Sequence, residues 1–389
     1  MIGSGKPVAH RMGRRFNGWS GQRGARGCAL LLACIGFALV LGAVGRSATG
    51  PAPSFAAPKT YAAGKDPDSP AIADLNGDGR PDLAMVNSSD SVSVLLNRGD
   101  GSFRPKRSHA SGAGAWRLQA ADLNGDGKQD LVTANRSPGK VSVLLNRGDG
   151  SFEAKHDYGT GRVPYELAIG DLNGDGRPDL VTSNLKAPTL SVLLNRGDGG
   201  FEPKHDYAAG REPGSPAIAD LNGDGSRDVA VANGPSDTIS VLLNRGDGSF
   251  EAKHDYAAGS GPQLLRLADL NGDGRPEMLF IYYSGGIPSL SVLLNNGDGS
   301  FRAGDDYEAC SCSGGEQVVR SIAIADLNGD GNPDVATTAS DEFYSEVYRG
   351  SLYRGTVSVF LNKDDGTFKT RSYSTGRTAQ TAQTSWPAT

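Results

Sequence analysis

The stretch DLNGDGRPD, Asp74 to Asp82, carries an oxygen-bearing side chain at every second position: Asp74, Asn76 and Asp78. A glycine, Gly79, follows, and the stretch closes on Asp82. Three carboxylates in nine residues repel one another unless a cation lies among them, and the hard cation that accepts several oxygens in loose geometry is Ca²⁺. The stretch recurs five more times, its starts spaced 48, 49, 49, 49 and 57 residues apart. The copies carry Asp122, Asn124, Asp126, Lys128 and Asp130; Asp171, Asn173, Asp175, Arg177 and Asp179; Asp220, Asn222, Asp224, Ser226 and Asp228; Asp269, Asn271, Asp273, Arg275 and Glu277; and Asp326, Asn328, Asp330, Asn332 and Asp334.

A period near 49 residues with strand-like content is the signature of propeller blades. In the fourth copy PAIADL is an apolar strand, and the acidic loop follows it. DVAVAN and TISVLLN are β-branched strands, RGDGSF is a turn, and EAKHDYAAG is a polar outer strand. Four strands per unit make one blade, and no stretch after residue 45 has helical periodicity. Six units fill about Tyr61 to Gly376, so the expected fold is an all-β propeller of six four-stranded antiparallel blades, with seven the alternative. The leading KTYAAG resembles the end of an outer strand and is expected to pair with the last unit and close the ring.

The signature IADLNGDGRPDLAMVN followed by SVSVLLNRGDGSF, first seen at Ile72 to Phe103, resembles the FG-GAP/VCBS repeat family, the calcium-loop β-propellers that include the integrin α-chain head. The resemblance implies a propeller with Ca²⁺ in the hairpin between the first two strands of each blade, and it implies no single activity. The loop resembles an EF-hand, whose glycine also stands at position six. It lacks the twelfth-position glutamate, since Met85 stands there, and closes on its ninth residue instead. Position seven (Arg80 in the first copy) would offer its backbone carbonyl. The plain alternative is an Asn-Gly/Asp-Gly turn with solvated acids, which accounts for the glycines and not for the acids in fixed register. Extracellular loops of this kind bind with Kd on the order of 10⁻⁴ to 10⁻³ M.

Domain limits follow. Residues 1–56 hold seven basic and no acidic residues and an apolar run from Ala29 to Val44, the layout of a secretory signal or a retained signal anchor. Residues 57–376 are the propeller, and 377–389 are a Thr/Gln/Ala-rich tail expected to be disordered. Without the leader, 32 basic residues face 44 acidic ones, so nucleic-acid binding is excluded on charge. The expected location is secreted, cell-surface or periplasmic.

Other features read as structure. RGD occurs at Arg98, Arg147, Arg196 and Arg245, but the fifth and sixth units replace the arginine while keeping most of the turn, which points to a hairpin and not an integrin ligand. His156, His205 and His254 fall one blade apart on outer strands. Cys310 and Cys312 break the repeat and could be oxidised in an exported protein, although a bridge between them closes a strained ring.

Partner recognition is expected from segments that break the repeat, on the face opposite the acidic loops: Trp116 with Arg117, Tyr165, and an aromatic patch of Tyr282, Tyr283, Phe343, Tyr344, Tyr348 and Tyr353. The expected function is a binding or adhesion scaffold for a protein or glycan. The alternative is an exported hydrolase or lyase acting on a polysaccharide or phospho-ester at the central channel. No HExxH, GxSxG or phosphate loop supports the latter.

Overall fold

The computed structural model describes residues 58–310, 316–345 and 350–379. Blade one is β1 (Pro67–Ala73), β2 (Asp82–Asn87), β3 (Ser91–Leu95) and β4 (Arg107–Ala110). Blade two is β5 (Ala115–Ala121), β6 (Asp130–Asn135), β7 (Lys140–Leu144) and β8 (His156–Gly159). Blade three is β9 (Pro164–Gly170), β10 (Asp179–Asn184), β11 (Thr189–Leu193) and β12 (His205–Ala208). Blade four is β13 (Pro213–Ala219), β14 (Asp228–Asn233), β15 (Thr238–Leu242) and β16 (His254–Ala257). Blade five is β17 (Gln263–Ala268), β18 (Glu277–Ser284), β19 (Ile287–Asn295) and β20 (Phe301–Glu308). Blade six is β21 (Glu316–Ala325), β22 (Asp334–Ser345), β23 (Gly350–Asn362) and β24 (Phe368–Ala379).

Each blade is a sequential antiparallel sheet, and together they form a six-bladed β-propeller. The burial pattern explains the sequence pattern. The second strand of a blade is covered on both faces by its neighbours, so β6, β10 and β14 are buried at every position, and their few polar residues are buried with the apolar ones. Outer strands such as β12 are exposed except at the tyrosine, and their sequence HDYA is correspondingly polar. The core lies between blades, in five clusters that join each blade to the next from one to six. An edge-to-face aromatic pair marks each of these five junctions: His109–Phe152, Tyr158–Phe201, Tyr207–Phe250, Tyr256–Phe301 and Tyr307–Phe368, with centroids 5.1–5.5 Å apart.

Several expectations need correction. KTYAAG forms no strand with the last unit; β24 takes the outer position of blade six. Tyr61 instead packs edge-to-face on Phe103 of blade one at 5.3 Å, the place a preceding blade's tyrosine would fill. The propeller does not stop at Gly376: β24 pairs with β23 through Leu352↔Ala379, while 380–389 lie outside the described residues, as does the leader. The aromatic segments of blades five and six are not irregular loops. β18 and β19 pair down to Ser284↔Ile287 across a Gly285-Gly286 turn whose φ values of 60° and 92° only glycine adopts readily. β22 and β23 pair down to Ser345↔Gly350, which places Phe343, Tyr344 and Tyr353 on a long hairpin; Tyr348 lies outside the described residues.

The junction of blade six with blade one differs from the other five. The loop leucines Leu75, Leu123, Leu172, Leu221 and Leu270 are each 1% exposed, whereas Leu327 of blade six is 51% exposed. Ile72 of β1 is also exposed. Among the described residues no helix is long and apolar enough to cross a membrane.

Candidate functional site

The six acidic loops join the first and second strands of their blades and share one face with the RGDG turns. Arg80 Nη1 donates to the carbonyl of Arg98, and Arg177 Nη1 to that of Arg196, at 3.2 and 3.0 Å. The first aspartate organises each loop. Asp74 Oδ1 accepts from the backbone N–H of Asn76, Gly77 and Asp78, and Oδ2 accepts from Gly79 at 2.7 Å. The glycine bonds recur at Asp122, Asp171, Asp220, Asp269 and Asp326. Although burial acts to raise the Asp74 pKa, these four amides together hold it below the usual carboxylate range. Asn76 Oδ1 and Asp78 Oδ1 each accept from the amide two residues on.

The ninth residue closes the loop from inside. Asp82, Asp130, Asp179, Asp228, Glu277 and Asp334 are fully buried. One carboxylate oxygen accepts from the loop leucine amide, as in Asp130 Oδ2 from Leu123 at 3.0 Å. The other accepts from an asparagine amide that ends the third strand, as in Asp130 Oδ1 from Asn146 at 2.7 Å. Burial, only partly offset by these amides and reinforced by two neighbouring loop carboxylates, pushes Asp130, Asp179 and Asp228 up to about 6. Asp82 and Glu277 move the same way for the same first cause.

Among the described residues no group of three or more Asp, Glu, His or Cys side chains gathers within metal-binding reach. The first and ninth carboxylates accept from backbone amides, and these bonds shape the loop. Fifth-position acids lean on their neighbours, as Asp126 on Lys128 and Asp175 on Arg177, at 2.9 and 2.6 Å. The donor set in each loop is still made of hard oxygens, which fits Ca²⁺ by type.

Sequence reasoning missed the asparagine that begins each RGDG turn. Asn146 Nδ2 donates to the Leu75 carbonyl of the preceding blade at 3.0 Å and to the Gln129 carbonyl of its own at 2.9 Å. Asn195, Asn244, Asn295 and Asn362 repeat the inter-blade bond to Leu123, Leu172, Leu221 and Leu270. Each acidic loop is thereby clasped to the next blade. Asn97 of blade one has no such bond among the described residues; its amide donates to Pro81. The signal was legible, since LLN or FLN precedes every turn.

The RGD turns are capped by their own aspartates, as where Asp100 Oδ1 accepts from the Ser102 N–H and hydroxyl. His156, His205 and His254 are exposed and one blade apart. Cys310 is buried in the blade five–six core, and Cys312 lies outside the described residues. Tyr282 and Tyr283 serve packing as much as display: Tyr282 donates to Asp306 at 3.0 Å, and Tyr283 accepts from Gln263 and packs on the core.

On the opposite face, Trp116 of β5 and Tyr165 of β9 stack with centroids 6.3 Å apart and planes 20° from parallel. Arg117 lies 5.0 and 5.7 Å from the two rings and holds Glu166 at 2.7 Å. Arg136, just after β6, sits 3.5 Å over Trp116 and 5.2 Å from Tyr165. Trp116, Arg117 and Tyr165 were expected on this face; Arg136 and Glu166 were not singled out, because nothing in the chain signals that they meet.

The family model described as FG-GAP-like repeat matches residues 74–133, 122–182, 220–280 and 269–337, and that of the FG-GAP repeat matches 318–360. No curated protein sequence matches the chain. Among solved structures, a lectin of Agrocybe aegerita that recognises non-reducing terminal N-acetylglucosamine is similar at 22% identity and a TM-score of 0.52, covering 78% of each chain. A protein from Lactobacillus plantarum is similar at 16% identity and a TM-score of 0.51, covering 75% of this chain and 84% of its own. Likeness at these identities shows the fold alone.

Proposed function

The chain belongs to the FG-GAP repeat family, and on that premise we propose that it is an exported, calcium-stabilised propeller that serves as a binding scaffold for a glycan or protein. The observation that carries the reading is the buried carboxylate closing all six loops, held by neutral amides beside further loop acids. A divalent cation among these oxygens would relieve that crowding and stiffen each hairpin. In each loop the first, third, fifth and ninth side chains and the seventh carbonyl would hold it; in blade two these would be Asp122, Asn124, Asp126 and Asp130 with the carbonyl of Lys128. The role is structural, because the loops stand on the face away from the segments that break the repeat.

Recognition belongs to that other face. A lectin is built on a similar propeller, so the scaffold accommodates sugar binding. The test is a glycan and protein array probed with the full chain in calcium and in chelator. A selective ligand, bound more weakly in chelator, is the expected result; no selective ligand in either condition overturns the recognition half of the reading.

A further inference from the structure

The cluster around Trp116 holds more donors than acceptors. Arg117 gives both Nε and Nη2 to Glu166 Oε1, at 2.8 and 2.7 Å. Among the described residues the Arg136 guanidinium makes no hydrogen bond or ion pair, and its Nε and the Trp116 Nε1 are buried without partners. The next nearest acid, Asp68 of β1, bridges to neither arginine. Buried donors left unmet are costly, and two guanidiniums against one paired carboxylate leave one cation over. An anion is the group that completes this set.

The rest of the surroundings narrows the anion. Arg136 already lies 3.5 Å over Trp116, so of the two near-parallel rings Tyr165 is the one left to pack against a ring of C–H groups. Glu166 Oε2 takes no hydrogen bond among the described residues and stands as an acceptor for hydroxyls. The position on β13 equivalent to Trp116 and Tyr165 is Gly214, where an added Cβ would meet only the Ala232 carbonyl at 3.4 Å, so no third side chain fills the place beside the pair.

We propose that Trp116, Arg117, Arg136, Tyr165 and Glu166 form a subsite for the uronate ring of an acidic glycan. Arg136, seated on Trp116, takes the carboxylate, Tyr165 packs the ring, and Glu166 receives hydroxyls. The proposal rests on the reading of the chain as a glycan-binding scaffold and names the sugar class.

The test is calorimetric titration of the full chain in calcium with trigalacturonate, with neutral galactotriose and with acetate, repeated on Arg136→Gln and Arg136→Lys. The native chain is expected to bind trigalacturonate at least tenfold more tightly than the neutral trimer. Arg136→Gln is expected to lose tenfold or more, and Arg136→Lys several-fold because the planar fork is gone. Unchanged affinity in Arg136→Gln, or in Arg136→Lys should the former fail to fold, overturns the subsite. So do equal affinity for the two trimers and displacement by acetate at matched concentration. A neutral glycan or protein found on the array and bound equally by Arg136→Gln overturns the subsite while leaving the scaffold reading intact.

Discussion

His109 stands where the other outer strands and the leading segment carry a tyrosine: Tyr61, Tyr158, Tyr207, Tyr256, Tyr307 and Tyr373. It packs edge-to-face on Phe152 at 5.1 Å, and burial, then the Arg107 charge, pushes its pKa below 6.5. Its folded pKa lies under its unfolded one, so it costs nothing above about pH 6.5. Below that, the unfolded chain binds the proton better, and stability falls until pH passes the lowered folded value. His109→Tyr should flatten this part of the stability–pH curve and raise the midpoint of urea unfolding at pH 5.5, by about 1 kcal/mol or more if the new hydroxyl bonds as Tyr256 does to Gly299 at 3.0 Å. An unchanged slope would show that His109 is solvated. The clasping asparagine gives a paired comparison. Both asparagines accept through Oδ1 from the glycine two residues on, but Asn146→Ala also removes two side-chain donations, one across blades, whereas Asn97→Ala removes only the one to Pro81. The first should cost about 1 kcal/mol more than the second in urea unfolding; equal costs would remove the clasp from the account.

The acidic loop is the element that does two jobs, and they separate by position. Asp122 shapes the loop through amides and Asp130 closes it from inside, so either substitution damages the hairpin whether or not a metal binds. Asp126 is different: its carboxylate meets solvent and Lys128, and its one backbone bond survives as an amide. Asp126→Asn should leave the melt in chelator unchanged within about 0.5 kcal/mol, as for a surface substitution, and should reduce the rise on adding calcium. A full calcium response in this variant would place the cation elsewhere. The loop's position, its repetition and its oxygen chemistry were legible in the sequence, because each depends on residue type at fixed spacing. Its internal amide bonds were not, since a carboxylate that faces a cation and one that faces N–H groups are spelled alike.

At the scale of the whole molecule, the repeat period gave blade count and strand order, because every blade buries the same apolar pattern against its neighbour. Three features lay beyond it. The last strand and the long β22–β23 hairpin extend past the repeat; among the described residues the first and last blades lack the Asn–Leu clasp that joins the other pairs; and Arg136 meets Trp116 only across two strands of one blade and the stack with the next. These are long-range outcomes with no local spacing to announce them. The repeat itself makes the central claim additive: six like loops on one propeller should stabilise it together if each holds a cation. At ten times Kd each site contributes about 1.4 kcal/mol to the folded state. The most direct test is therefore the thermal melt of the full chain in 10 mM calcium against the same concentration of chelator at constant ionic strength. The account predicts a melting temperature clearly higher in calcium, with the increase growing as calcium is raised; superimposable melts at every calcium concentration would contradict it.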